Sequence, residues 1–538
     1  MTDNGPGRGL AAGGFSRRQF LHGSVLAAGG LAATGALAAC GGSASAGSQS
    51  VTSRKTASAT AKPVYGGKLR IGTAFGGPTD SLDPGQANQG ADYYRVDALF
   101  DALCYLDPNY KVQLQLAESM EPNAQGTVWT VRLRSDVKWH DGQPLTADDV
   151  IYTLKRDEKL QLVGTYATDV IDFTGLQKLD SRTLRIPLTV ARADYPLDLC
   201  APLNIVQNGA TDFRHPIGTG PFTYVSFSPG QSSLFAKNPD YWVPGRPYVD
   251  FLEITTIADP TSRVNALLAD EVDAIDQMAF ASGRQYKETT AFQLVETKSG
   301  NILPLTMACD IAPFNDARVR QAMRLIADRP ALVEAAQLGF GQVGNDIEGK
   351  GQPGYPASLA QRAQDLDQAR SLLKAAGHEK LTVTLNTSAL QPGMLESSTA
   401  YAQQAKAAGV NVIINNISPA DYYGPEYLKY PFGVSGWADL PIEQFMASAL
   451  VPGAPYNETH WHIPAFNALY NQARGTFDTG KRDQLLAEAQ TMLYDDGGYL
   501  IWGLTPNLDG YGNKVHLPPS AYLFEMGGAN VFQDFWLE

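Results

Sequence analysis

His460-Trp461-His462 sets two imidazoles two residues apart. On a strand they would share one face, as half of a metal site does. No Cys or carboxylate cluster lies close in sequence to complete the set, so metal binding is a secondary reading. Asp148-Asp149 is a paired carboxylate that could serve acid–base chemistry. It follows Thr146, however, and opens an apolar run. That context makes Thr146 an N-cap and sets both Asp side chains against the positive end of a helix. Ile217-Gly218-Thr219-Gly220-Pro221-Phe222 lacks the Lys-Ser/Thr of a phosphate loop and the spacing of a dinucleotide fingerprint. It reads as a tight turn into a strand over 222–227. Neither H-E-x-x-H nor G-x-S-x-G occurs, so an exported hydrolase would need a Ser/His/Asp set assembled only in space. Cys104, Cys200 and Cys309 allow at most one intramolecular disulfide. Which pair forms it, or whether all three stay as buried thiols, is open without Cα separations. No enzymatic activity and no cofactor are expected.

The 538 residues are 44% hydrophobic and 18% charged, which excludes intrinsic disorder and leaves material for two to four domains. The net charge of −13 argues against nucleic acid as a partner, because phosphate binding needs a basic face. The first forty residues read as an address. Arg17-Arg18 precede Phe20, and a Gly/Ala-rich apolar stretch runs from Val25 to Ala39. At about 22 Å it is shorter than a membrane core of about 30 Å, so it is an export h-region, and the arginine pair indicates the twin-arginine route. Leu37-Ala38-Ala39-Cys40 resembles a lipobox, implying cleavage before Cys40 and its lipidation. Residues 41–64 are small, polar and aperiodic, a flexible tether of about 25–30 Å reach. The expected location is therefore extracytoplasmic, lipid-anchored at the outer face of the cytoplasmic membrane.

The elements that must position any site follow from periodicity. Residues 68–73, 129–134, 222–227, 248–257, 381–385 and 410–414 read as strands, and 499–502 as a buried strand. Helical spacing is expected over 93–103, 261–268, 316–327, 366–376, 397–408 and 481–494, with Pro330 in the first turn of another helix. Gly377 and Gly409 stand where helices end. The order 381–385, 397–408, 410–414 is a β-α-β unit, so at least one lobe is α/β.

Four blocks in order carry a resemblance. They are Val137-Lys138-Trp139-His140-Asp141-Gly142-Gln143-Pro144-Leu145-Thr146-Ala147-Asp148-Asp149-Val150, then Gly218-Thr219-Gly220-Pro221-Phe222 with Asn238-Pro239-Asp240-Tyr241-Trp242. Pro313-Phe314-Asn315-Asp316-Ala317-Arg318-Val319-Arg320-Gln321-Ala322 and Ala369-Arg370-Ser371-Leu372-Leu373-Lys374-Ala375-Ala376-Gly377 follow. Together they resemble the large peptide/nickel-type (family 5) solute-binding proteins of ABC importers. The resemblance implies an α/β bilobal clamp of the periplasmic-binding-protein type with three subdomains. Signal and lipobox would occupy 1–40 and the tether 41–64. The N-terminal lobe would span 65–300, as subdomains of about 65–106 plus 216–300 and of 107–215. The second α/β lobe would span 301–500, with 501–538 returning to the first. The resemblance also implies a monomer that captures a small solute, most simply a peptide, and delivers it to permease and ATPase subunits. Metal chelates, sugars and opines are alternative ligands, and a sensor is an alternative destination.

Peptide-type members resemble one another around a Trp closely followed by an Asp that meets the ligand's ammonium. Trp437-Ala438-Asp439-Leu440-Pro441 stands there, one residue shorter, with Ile442 where many members carry a second Asp. The implied binding residues are Asp439 and, as an apolar wall, Trp437. Phe75 and Gly76 after the first strand, and Met307 in the crossing segment, should border the cleft.

Overall fold

The computed structural model describes residues 62–87, 90–200, 203–419, 421–517 and 532–538. Cys40, Arg17 and Arg18 lie outside them. Among the described residues, no helix is long and apolar enough to cross a membrane.

Alternation at Lys68–Thr73 buries Leu69 and Ile71 completely, and the strand becomes an inner member of an eight-stranded sheet. It runs parallel to both Phe251–Thr256 and Ala274–Ile275. Beyond these, the sheet adds Ser232–Lys237 and Phe222–Ser228 on one side. On the other lie Gly503–Gly512, Phe292–Ile302 and Gln342–Val343. Each fully buried aliphatic side chain here contributes about 2 kcal/mol.

A second, antiparallel sheet pairs Ala117–Pro122, Val128–Leu133, Thr183–Pro187 and Gln177–Lys178. Trp129, Val131 and Leu133 face its core, together with Val150 and Leu154 of the helix Ala147–Leu160. That helix starts as its sequence dictates. The Asp149 carboxylate accepts from the Thr146 N–H at 2.7 Å and from its hydroxyl at 2.9 Å. Asp148 is half-buried and pairs with Lys178, so the two carboxylates do not share a site.

The third sheet, of five strands, has the order Asn411–Asn416, Thr382–Thr387, Phe432–Val434, Leu305–Met307, Tyr499–Leu500. Its first two strands are parallel, joined by the helix Met394–Ala407. The turns after Leu366–Ala375 and Met394–Ala407 place Gly377 and Gly409 at φ of 79° and 80°, where a Cβ would be strained. Asp328 caps the helix Arg329–Gln337, with Pro330 in its first turn.

Two expected elements end early. The helix expected over 93–103 is Gly90–Leu99. The Leu99 carbonyl accepts the Gly220 N–H at 2.9 Å, which diverts it from the next helical turn. Beyond it the Asp101 carboxylate collects Gln115, Thr219, Tyr241 and Trp242, and Phe100 and Leu103 stay buried without being helical. The strand expected over 499–502 is paired only at Tyr499–Leu500. The carbonyls of Ile501 and Trp502 accept from Asp346 and Gly344 instead.

The chain passes twice between the eight- and five-stranded sheets. Ile302 ends a strand of the first and Leu305 begins one of the second; Leu500 and Gly503 bound the return. The two passages are tied, because the Trp502 indole donates to the Leu303 carbonyl at 2.7 Å.

Candidate functional site

Asp439 sits in the loop between Phe432–Val434 and the helix Ile442–Ala449. Its side chain is 3% exposed. One carboxylate oxygen accepts the Gly300 N–H at 2.7 Å and the Tyr110 hydroxyl at 2.8 Å. The other accepts Gln352 Nε2 at 3.2 Å. The Asp439 N–H donates to Asn301 Oδ1 at 2.8 Å. Position 300 has to be small, since a Cβ there would fall 2.3 Å from an Asp439 oxygen.

Tyr110 reaches this carboxylate from the hairpin Cys104–Leu106/Val112–Leu114, 329 residues away in sequence. The turn holds Tyr110 at φ 58°, and Asp107 braces it by accepting the N–H groups of Asn109 and Lys111 and the amide of Gln113. The three donors to Asp439 are therefore neutral, and among the described residues no cationic side chain pairs with it. Burial pushes the Asp439 carboxyl above its ordinary range, and the donors pull partly back. Burial and the neighbouring Asp439 charge push the Tyr110 hydroxyl up, so it remains a donor.

A second set of contacts joins the bodies built on the four- and five-stranded sheets. Arg474, at the end of the helix Pro464–Arg474, is 2% exposed and sits 2.7 Å from Asp194 and 2.6 Å from Asp198. Its carbonyl accepts the Ala193 N–H at 2.7 Å, and Gln444 Nε2 donates to the Leu197 carbonyl at 3.1 Å. A cavity of about 420 Å³ is lined by Asn345, Lys350, Gln352, Tyr355, Leu359 and Gln361 among others. Gln352 belongs to both the cavity and the Asp439 shell.

The other expected site residues have different places. The Trp437 backbone pairs with Ile302, and its ring, 3% exposed, packs on Phe445 and Tyr456 while its indole N–H donates to Glu458 at 2.8 Å. It fixes the strand entry to Asp439 from within the core. Met307 is wholly buried in the core of the five-stranded sheet and turns no surface outward. Phe75 is buried against Gly90, and Gly76 abuts Thr256 and Asp80. His460 is in a loop at φ 51°, so it does not share a strand face with His462. Its ring nitrogens lie 2.6 Å from Asp310 and 2.7 Å from the Leu428 carbonyl. Among the described residues, no group of three or more His, Cys, Asp or Glu side chains is placed to hold a metal ion.

Tyr110, Gly300, Asn301 and Gln352 were not legible as site residues. Asp107-Pro108-Asn109 marks a turn that would expose the next side chain. Nothing in the sequence around Gln352 points to Asp439.

Residues 111–450 match the family model for bacterial extracellular solute-binding proteins, family 5, middle region. The chain is 24% identical to the glutathione-binding protein GsiB of Pectobacterium atrosepticum over 480 residues, covering 84% of this chain and 91% of that protein. It is 25% identical over 461 residues to di/tripeptide-binding protein 1 of Pseudomonas aeruginosa, covering 78% and 85%. Among solved structures it resembles the periplasmic binding protein DppA of Helicobacter pylori in complex with the peptide STSA. The TM-score is 0.74 at 21% identity, over 88% of this chain and 99% of that one.

Proposed function

The chain belongs to family 5 of the bacterial extracellular solute-binding proteins, the non-catalytic solute-capturing component of ABC transporters, and from that premise we propose that its ligand is a peptide or peptide-like amine whose ammonium group is taken by Asp439. The supporting observation is a buried carboxylate with neutral donors only, set where two bodies of the molecule meet. Such a group has already lost its hydration and, among the described residues, has no cationic partner. An ammonium about 4 Å away gains about 4 kcal/mol at an effective dielectric near 20, against about 1 in bulk water. Tyr110 would serve as gatekeeper, because a hydroxyl can accept from the ammonium as well as donate to the carboxylate. The relatives named for glutathione and for di- and tripeptides agree with this ligand class.

In this reading the lobes are 65–300 with 501–538, and 301–500, hinged at the two tied passages near residues 302–305 and 500–503. Closure brings Tyr110 onto Asp439 and Asp194 and Asp198 onto Arg474. Arg17 and Arg18 direct export by the twin-arginine route, and lipidated Cys40 moors the tether beside the permease. Energy for transport comes from the partner ATPases.

Calorimetry with a free dipeptide or tripeptide series and their N-acetylated forms tests the ligand. The free amines should bind and the acetylated forms should not. Asp439→Asn should weaken binding about tenfold or more. Equal affinity in the variant removes Asp439 from the site.

A further inference from the structure

Cys104 opens the strand Cys104–Leu106 and Cys200 closes the helix Tyr195–Cys200. Though 96 residues apart in sequence, their sulfurs are 3.2 Å apart. Both thiols also reach the Pro196 carbonyl, at 3.3 and 3.2 Å, so both side chains are turned to one point. Cys104 is wholly buried in the core of the four-stranded sheet, and Cys200 is partly exposed. Cys309 belongs to the other body, where its Sγ lies against the Met307 carbonyl. A disulfide needs the two sulfurs at about 2.05 Å, a closure of about 1 Å from where they stand. The family works outside the cytoplasm, where disulfides form and persist.

We infer that Cys104 and Cys200 form a disulfide in the exported protein, leaving Cys309 as a thiol, and that the bond braces the helix Tyr195–Cys200. This reading is independent of the ligand. The bond has a mechanical consequence, because the same helix carries Asp198, and Asp194 precedes it. Those are the two carboxylates that hold Arg474 of the opposite body. Cross-linking the helix to the hairpin whose turn carries Tyr110 joins both interbody contacts to one covalent frame.

The chemistry balances with a low-molecular-weight disulfide such as oxidised glutathione. The Cys200 thiolate, the more accessible of the two, attacks a glutathione sulfur and expels one glutathione thiolate. Cys104 then attacks the Cys200 sulfur and expels the second. Two protein thiols are oxidised, one glutathione disulfide is reduced to two thiols, and the two protons pass to the leaving thiolates. Burial pushes the Cys200 thiol well above its ordinary range, so the thiolate is scarce and the exchange is slow.

The test incubates the full-length protein with oxidised glutathione at about pH 8.5 for hours, then quenches in acid, denatures, alkylates and maps tryptic peptides by mass. The peptides bearing Cys104 and Cys200 should appear as one cross-linked species, lighter by two hydrogens than their sum, with Cys309 alkylated. Full alkylation of Cys104 and Cys200, or a cross-link to Cys309, overturns the assignment. Cys309→Ser should keep the cross-link, whereas Cys200→Ser should lose it. The oxidised form should melt a few degrees above the reduced form, and a Cys309→Ser protein should show the same shift. Equal melting points in the two forms overturn the bracing.

Discussion

Asp439 and Glu348 are both buried carboxylates, and their surroundings separate them. Asp439 has three donors on its oxygens, whereas Glu348 Oε1 has no hydrogen-bond partner, the carboxylate draws on its own backbone N–H, and the Gln490 amide goes to the Glu348 carbonyl instead. Burial pushes the Glu348 carboxyl up to about 8. In the unfolded chain it titrates near 4.5. The folded state therefore binds the proton more tightly, and stability falls as pH rises from the unfolded value through the folded one. Glu348→Gln, which mimics the protonated form, should leave the melting temperature nearly unchanged below about pH 4. It should raise it increasingly up to pH 8, after which the gain levels off. Melting curves across that range check this, and a pH-independent effect would rule it out. Asp439 was singled out in the sequence only through resemblance to peptide-type relatives. Its partner Tyr110 was invisible there, because a contact across 329 residues exists only once the bodies meet.

At the scale of elements, local chemistry was the reliable guide. The Thr146–Asp149 start, the alternation at Val128–Leu133 and the β-α-β unit through Met394–Ala407 all follow from side-chain type and spacing. The expectations that ran too long, at 93–103 and 499–502, failed for one reason. Buried apolar residues continued past the point where the backbone had found other partners. The turn at Gly218–Gly220 is the clearest case of such competition. A Cβ at Gly218 would lie 1.7 Å from the Leu99 carbonyl oxygen, and one at Gly220 2.5 Å from the Leu99 carbonyl carbon. Both clashes are with backbone, which cannot rotate away. Gly218→Ala should cost about 3 kcal/mol or more, read as a lower denaturation midpoint with an unchanged slope. A midpoint within error of the parent's would show that the helix end at Leu99 is free to move.

For the whole molecule, the decisive group is Arg474, a buried guanidinium shared by Asp194 and Asp198 across the two bodies. A buried pair contributes little net stability against an apolar substitute, but removing one partner is costly because the other charges stay buried. Arg474→Met would leave two carboxylates facing each other, and separation of the bodies would relieve them by letting water in. The variant should show a larger radius of gyration by small-angle scattering, and its ligand should dissociate about tenfold faster, since apparent affinity scales with the fraction of closed molecules. An unchanged scattering profile together with an unchanged off-rate would mean that the closed form is held elsewhere.

Composition, periodicity and capping residues carried the α/β elements, and the order of four blocks carried the family, because these depend on neighbours within a few turns of chain. The meeting of Tyr110 with Asp439, of Arg474 with Asp194 and Asp198, and of Cys104 with Cys200 was decided by tertiary structure alone. Each joins groups that no local periodicity relates. Burial, which only the fold supplies, is what sets Asp439 apart from an ordinary aspartate, as a desolvated carboxyl held by neutral donors.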